Sequence, residues 1–363
     1  MHMADALLAP AVAVTMYAAS GTAAGLSIKK LREDSDTEKL PAMAVMSALV
    51  FAGQMINYTI PGTGSSGHIC GGMLLSAVLG PRAGFLSMIT VLAIQCLFFA
   101  DGGLMALGAN VWNMAFYGCF VGYYLIWRPV MRSRLFSGRG KGNGLRARII
   151  FASVLGCVIT LQLGAFSVVL ETTLSGITEL PFGAFCALMQ PIHLAIGLVE
   201  GAVTAAVLVF VSETRPELLM DADIPEEKRE GGGTSRSLVL VLSVLAAFAI
   251  LTGGVFSHFA SGNPDGLEWA LFGNSDAGYS SNMSLDEENY GIASGAAEAA
   301  ASVQEKTSVL PDYAFADSDS PAGTTVSGIA GSLMVAAAAL LICFAGRFFR
   351  KKKDDMMPEP KGQ

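Results

Sequence analysis

Charge is what this sequence has little of. Only 15% of its 363 residues are Asp, Glu, Lys or Arg, against 52% hydrophobic residues and a mean hydropathy of +0.52. Soluble domains carry about 25% charged residues, so the composition argues against a soluble fold and for an integral membrane protein. Paired cysteines are missing as well. Cys70, Cys96, Cys119, Cys157, Cys186 and Cys343 are scattered singly with no CxxC, so they imply neither a disulfide framework nor a thiolate metal site and read as small buried hydrophobes. There is no GxxxxGK[ST] stretch, so the chain does not hydrolyse ATP by itself. Gly138-Arg-Gly-Lys-Gly-Asn-Gly144 lacks that spacing, and its charges explain it as a cytoplasmic anchor. A nucleophile–base pair is also absent, which argues against an enzyme. No basic residues precede the apolar stretch Leu7 to Leu26, so it reads as a retained span and not as a removable signal peptide.

Long apolar runs are what the sequence does have. About 20 residues suffice to cross a hydrocarbon core about 30 Å thick, and such runs lie near 7–27, 40–59, 83–100, 104–127, 147–171, 184–211, 237–257 and 327–346. The stretch 69–80 is shorter and bounded by glycine, open to reading as a short spanning helix or a re-entrant segment. The net charge of −7 is segregated along the chain. The connection 128–148 holds Arg128, Arg132, Arg134, Arg139, Lys141, Arg146 and Arg148 with no acid. Lys29, Lys30, Arg32 and Lys39 mark an earlier basic connection, and Arg347, Arg350, Lys351, Lys352 and Lys353 mark the tail. All three belong in the cytoplasm by the positive-inside rule, which requires 69–80 to cross. The expected fold is therefore an all-α polytopic membrane protein of about nine transmembrane helices, with its N-terminus outside and its C-terminus cytoplasmic. It divides into a seven-helix core at 1–212, a cytoplasmic linker rich in Pro, Gly and charge at 213–236, a two-span region at 237–347 and a basic tail at 348–363. The 258–326 connection has Lys306 against eleven acids and few large apolar residues. It is expected to be disordered or weakly helical around Ala293–Gln304. Two uses are open to it, a solvated connection or a charge that gathers divalent cations.

Histidine is scarce, with four in the chain, and one is the second residue. A free Met1 amine, the His2 amide nitrogen and the His2 imidazole can close on one divalent ion as two fused chelate rings. The bulky His2 favours retention of Met1. Nitrogen donors in a plane suit Ni(II) or a similar late transition metal, whereas Mg or Ca would want oxygen. The other reading is that every chain starts with Met and something must come second. The charge pattern places Pro61-Gly-Thr-Gly-Ser-Ser-Gly-His68 on the same outer face. This backbone-rich loop, with Ser65 and Ser66, either holds His68 as a further nitrogen ligand or is an ordinary turn. Gln95, Asp101 and Asn110 fall near the outer ends of two spans, either as partners that orient an imidazole or as helix caps. His193 and Glu200, seven residues apart on one helix face, are open to a proton relay or to structural hydrogen bonding. Gly197/Gly201, Ala19/Ala23 and Gly21/Gly25 mark close helix contacts, internal or with a partner subunit.

Four stretches taken together resemble a known family: the Met1-His2 start, the Gly/Ser loop ending in His68, Asp101-Gly-Gly-Leu through Leu107-Gly-Ala-Asn110, and Pro191-Ile-His through Glu200-Gly201. They are similar to the CbiM/NikM substrate-binding component of the energy-coupling factor (ECF) transporters for cobalt and nickel, over about residues 1–212. Pro264-Asp-Gly-Leu-Glu268 resembles the NikN/CbiN auxiliary component, here fused, with a lean toward nickel. The resemblance implies capture of Ni(II) or Co(II) as a transported ligand, with no cofactor, by Met1, His2 and His68. It implies a multi-pass protein of the cell (inner) membrane, surrounded by lipid and without nucleic acid. It further implies a separate coupling transmembrane (T) component and ATPase subunits, whose ATP hydrolysis tilts the binding component and releases the ion inward. The family often has Gly where this chain has Ala6, a departure that leaves the ligands in place. The alternative is a proton-coupled secondary divalent-metal transporter that uses His193 and Glu200.

Overall fold

Helices account for most of the apolar runs. A computed structural model describes residues 1–33, 40–134, 136, 143–177, 179–222, 235–284, 291, 294–315, 320 and 322–356. Lys39, Arg139, Lys141, most of the expected linker and the last residues of the tail lie outside the described residues. Helices α1 (Pro10–Glu33) and α2 (Leu40–Gln54) lead into a small antiparallel hairpin of β1 (Tyr58–Ile60) and β2 (Ser65–Gly67), in which Thr59 pairs with Ser66. Helix α3 (Gly72–Leu79) and α4 (Pro81–Phe99) follow. Helix α5 (Leu107–Asn110) runs through a π-wound stretch, Val111–Trp127, into α6 (Arg128–Arg132) with no break in the helical backbone. Helices α7 (Asn143–Leu174) and α8 (Phe182–Thr214) form a long hairpin. The C-terminal region adds α9 (Ser235–Gly254), α10 (Gly266–Phe272), α11 (Gly295–Thr307) and α12 (Ala322–Met356).

Among the described residues, five helices are long and apolar enough to cross a membrane: Pro10–Leu31, Pro81–Phe99, Asn143–Leu174, Phe182–Thr214 and Ala322–Leu341. Pro41–Gln54 and Leu238–Gly254 are apolar but shorter. Helix α3 departs from the charge-based expectation. Its eight residues are all buried, and at about 1.5 Å per residue the helix reaches about 12 Å, well short of a core about 30 Å thick. It is entered from the hairpin and left through Gly80 at φ +84°, so the segment does not cross as a helix on its own. Non-helical backbone at such a break is tolerated where protein encloses it.

Small residues set the packing. A Cβ on Gly197 would stand 2.8 Å from the Val158 Cα, and one on Gly201 would stand 2.6 Å from the Val154 Cα. The small-residue spacing in α8 therefore serves an internal contact with α7, while Gly21 and Gly25 in α1 face open space. Helices α9 and α12 pack on α2 and cross each other at Gly253 and Gly328, where a Cβ on Gly328 would meet the Gly253 backbone. The C-terminal region is thus built onto the core. At the end of the bundle that carries Arg128 and Arg132, the first residues after α8 fold back over α3. Met220 N–H donates to the Ala77 carbonyl at 2.8 Å, and the Trp127 indole donates to the Met220 carbonyl at 2.9 Å. Asp221 accepts the Tyr123 hydroxyl at 2.5 Å and pairs with Arg132. At the opposite end the described residues of the acidic connection hold the helix expected around 293–304 and further regular structure that its composition did not suggest. These residues form α10 (packed on α8), α11 (packed on α4) and a bridge between Asn274 and Tyr279, whose side chains bond the hairpin turn at Gly64 and Gly62.

Candidate metal centre

The N-terminus is drawn into the end of the bundle by hydrogen bonds to its third and fifth residues. Asn110 clamps the Met3 backbone, accepting its N–H at 2.8 Å and donating to its carbonyl at 3.1 Å. Gly103 N–H adds a bond of 2.9 Å to the same carbonyl. Asp5 Oδ1 accepts Ala106 N–H at 3.0 Å. A Cβ on Gly103 would collide with Asp5, so the Gly102-Gly103 pair leaves the room through which the chain start passes. Asn110 consequently acts on the main chain, and its hydrogen bonds go to the Met3 backbone and to no imidazole.

The Met1 amine donates to Asp265 Oδ2 at 2.9 Å, an ion pair joining the chain start to the C-terminal region. His2 Nδ1 lies 3.1 Å from Asp101 Oδ1, and its Nε2 is buried with no hydrogen-bond partner among the described residues. The His2 and His68 rings stack with centroids 5.2 Å apart and planes 21° off parallel. His68 Nδ1 bonds the Ile69 carbonyl at 3.0 Å. Gln95 is fully buried beside His2. A cavity of about 10 Å³, close to the size of one water, is lined by Met1, His68, Cys70, His193, Asp265 and Gly266 among others. Met1 and the distant His68 and His193 therefore meet on one small space, and His2 reaches it only through its stacking on His68.

The electrostatics favour neutral imidazoles. Burial pushes His2 below its ordinary value despite Asp101. Burial first, and the charge of the Met1 amine next, lower His68 to about 3. Both rings thus keep a lone pair free at neutral pH. Burial alone would lower the Met1 amine pKa, but the Asp265 carboxylate outweighs it and raises the pKa. Asp265, which burial alone would raise, is held below the usual carboxylate range by that amine and the Glu268 N–H.

The Pro264–Glu268 signature now has a physical reading. Asp265 caps α10, accepting Leu267 N–H at 2.7 Å and Glu268 N–H at 3.0 Å, while Glu268 returns a bond to Asp265 N–H at 3.1 Å. This capping box leaves Oδ2 free for the Met1 amine. Gly266 is needed because a Cβ there would sit 2.9 Å from Ile192 and 3.0 Å from His193. Ser65 and Ser66 serve this segment, and their hydrogen bonds go to it and to their own loop and not to the amine or imidazoles. Ser66 N–H donates to the Pro264 carbonyl at 2.8 Å, and the Ser66 hydroxyl donates to the Asn263 carbonyl at 2.8 Å. Ser65 Oγ reaches the Ser66 carbonyl at 3.2 Å. His193 lines the cavity and bonds the Met189 carbonyl at 2.8 Å through Nδ1. Glu200 accepts Cys70 N–H at 2.7 Å and Gly71 N–H at 2.9 Å, holding the residues that enter α3. Sequence reasoning missed Asp265 and also Tyr313, whose hydroxyl reaches Asp101. The Asp-x-x-Glu spacing signals the capping box, but nothing local signals what its second oxygen binds. Among the described residues no group of three or more His, Cys, Asp or Glu side chains is arranged to hold a metal.

The family described as the cobalt uptake substrate-specific transmembrane region matches residues 2–218, and the PDGLE domain matches residues 239–347. A protein of Archaeoglobus fulgidus that carries the name of a fused nickel transport protein, NikMN, is 35% identical over 93% of this chain and 96% of its own. The cobalt transport protein CbiM of Geobacter sulfurreducens is 28% identical over 69% of this chain and 70% of its own. The crystal structure of a truncated transition metal transporter is 31% identical over 59% of this chain and 99% of that one, with a TM-score of 0.49. With several helices able to span a bilayer, this is a multi-pass membrane protein whose relatives are transport proteins. The chain belongs to the CbiM family of cobalt-uptake substrate-specific transmembrane proteins, with a PDGLE domain of the NikN/CbiN kind fused behind it.

Proposed function

We propose that the chain is the substrate-binding component of an ATP-driven importer of Ni(II) or Co(II), and that Met1, His2 and His68 take the ion. The observation that carries this reading is the meeting of the buried Met1 amine with the stacked His2 and His68 rings at one end of the bundle, Met1 and His68 lining one cavity. The ion replaces the amine proton and the His2 amide proton. Closing the second ring uses Nδ1, so the His2 ring turns about its Cβ–Cγ bond, which brings Nε2 to the side that faces Asp101. Four nitrogens in a plane favour nickel over cobalt. In this reading the end of the bundle that carries the basic residues faces the cytoplasm, as the positive-inside rule favours, and the site faces outward. Release inward falls to a coupling membrane subunit and ATPase subunits, because the chain has no nucleotide-binding motif of its own. The proton-coupled alternative gains no support, since Glu200 spends both oxygens on backbone N–H groups. It also lies seven residues, or about 10 Å at about 1.5 Å rise, from His193.

An N-terminal extension tests this directly. The purified full chain with a free Met1 binds one equivalent of Ni(II) in a calorimetric titration, and the same chain extended by a short peptide does not. Equal binding by both would overturn the chelate. Because the amine pKa is raised, the amine holds its proton at neutral pH. Binding must expel that proton, so affinity rises about tenfold or more per pH unit as pH climbs toward the amine pKa. A pH-independent affinity between mildly acidic and neutral buffer would count against it.

A further inference from the structure

Tyr313 belongs to the fused C-terminal region, 212 residues along the chain from Asp101, yet its hydroxyl donates to Asp101 Oδ2 at 2.5 Å. The other oxygen of the same carboxylate lies 3.1 Å from His2 Nδ1. A carboxylate bound at both oxygens has its plane and rotation set, so the phenol determines how Oδ1 meets the imidazole.

The phenol is itself placed with care. Its ring lies face to face with Phe99 at 4.9 Å and 19°, and edge-on to Phe51 at 6.4 Å. Asp312 and Tyr313 both adopt left-handed backbone, with φ of 49° and 61°. Two consecutive non-glycine residues in that region persist only where the surroundings over-determine them. Here the surroundings are the loop that carries Asp101. Val309 and Leu310 N–H groups donate to the Phe98 carbonyl at 3.0 and 3.2 Å. The Gln304 amide donates to the carbonyls of Cys96 at 2.9 Å and Gly102 at 2.7 Å. Ser327 Oγ holds the Tyr313 carbonyl at 3.0 Å. The C-terminal region thus grips both sides of Asp101 and adds one hydroxyl to it.

We infer that Tyr313 is a positioning residue for the metal-binding nitrogens: it fixes Asp101, which meets His2 Nδ1 in this structure and Nε2 once the ring has turned to give Nδ1 to the ion, and so sets the orientation and tautomer of the imidazole. Outer partners of this kind fix ring orientation and raise ligand basicity. The fused region accordingly contributes to the affinity of the site through a specific hydrogen bond, besides the contact of Asp265 with the Met1 amine. This inference rests on the reading of Met1, His2 and His68 as ligands.

The test is Tyr313→Phe in the full chain, which keeps the stacked ring and removes the hydroxyl alone. Ni(II) binding weakens roughly 10- to 100-fold, the range for loss of an outer partner. The visible absorption band of the bound planar nickel shifts, while the thermal unfolding midpoint of the metal-free protein stays in place. Asp101→Asn weakens binding too, and adding Tyr313→Phe to it produces no further loss, because the two act in series. Parental affinity with an unshifted band in Tyr313→Phe would overturn the inference, as would losses that simply add in the double variant. His2→Ala, measured alongside, separates the two levels. If it abolishes binding while Tyr313→Phe changes nothing, only the positioning role fails. If His2→Ala binds nickel normally, the ligand reading fails and this inference falls with it.

Discussion

His2→Ala abolishes stoichiometric Ni(II) binding and leaves the protein folded in the membrane. The substitution removes more than one donor. Without the imidazole the six-membered ring cannot form, and the His2 amide nitrogen loses the second anchor that makes its deprotonation by the metal favourable. The Met1 amine is then a single donor paired with Asp265. The loss exceeds the roughly 10- to 100-fold that follows removal of an outer partner. His68→Ala takes away one donor and leaves the chelate rings able to close, so its loss is smaller. The fold survives because the His2 side chain contacts Asp101 and His68, while the helices pack through other residues. Asp101 keeps its bond to Tyr313, so the variant leaves no buried carboxylate without a partner. Titration of the detergent-purified variant beside the parent, with its unfolding midpoint as a control for folding, decides the matter. Stoichiometric nickel binding by His2→Ala would sink the proposed ligand set.

How much of this was legible in the sequence depends on the range of the signal. The apolar runs are local, and they mapped onto helices because a bilayer demands internally bonded backbone. The grouping of His2, Asp101 and His68 at one end of the bundle follows from counting spans between basic connections. Helix α3 shows where that count lacks resolution: a run of 8 buried residues satisfies the charge arithmetic without being a spanning helix. The serines show a second limit. A Gly/Ser loop next to a histidine reads as pocket lining, but Ser66 holds Asn263 and Pro264, which lie about 200 positions away in sequence. Asn110 was legible as a polar residue at a helix end and not as a clamp on Met3. Asp265 and Tyr313 were out of reach for the same reason, since their contacts exist only once the C-terminal helices have packed on α2. The acidic connection misled by composition. Its few apolar residues suggested a chain unable to bury itself, yet Leu267, Ala270 and Leu271 are buried in the assembled fold.

Glu200→Ala is expected to lower both stability and metal affinity. Glu200 is 1% exposed and accepts the N–H groups of Cys70 and Gly71, the two residues that precede α3. Gly71 sits at φ +82°, so this corner has the shape of a loop bent around a carboxylate. Removing the acceptor leaves two buried N–H groups unsatisfied, at about 1–3 kcal/mol each. The released corner lies within three residues of His68, so the imidazole loses its fixed place over His2 and nickel binding weakens along with the unfolding midpoint. A proton-relay role predicts a different pattern: a variant as stable as the parent, with normal nickel affinity and with uptake lost. The two accounts also part on energy source. Under the proposed ATP-driven reading, cells that express the parent chain and import nickel should continue to do so after the proton gradient has been collapsed, provided ATP is maintained. Uptake that stops with the gradient, together with a stable Glu200→Ala protein of normal affinity, would return Glu200 and His193 to the centre of the mechanism. Parallel loss of stability and affinity, with gradient-independent uptake in the parent, assigns Glu200 to holding the His68 loop.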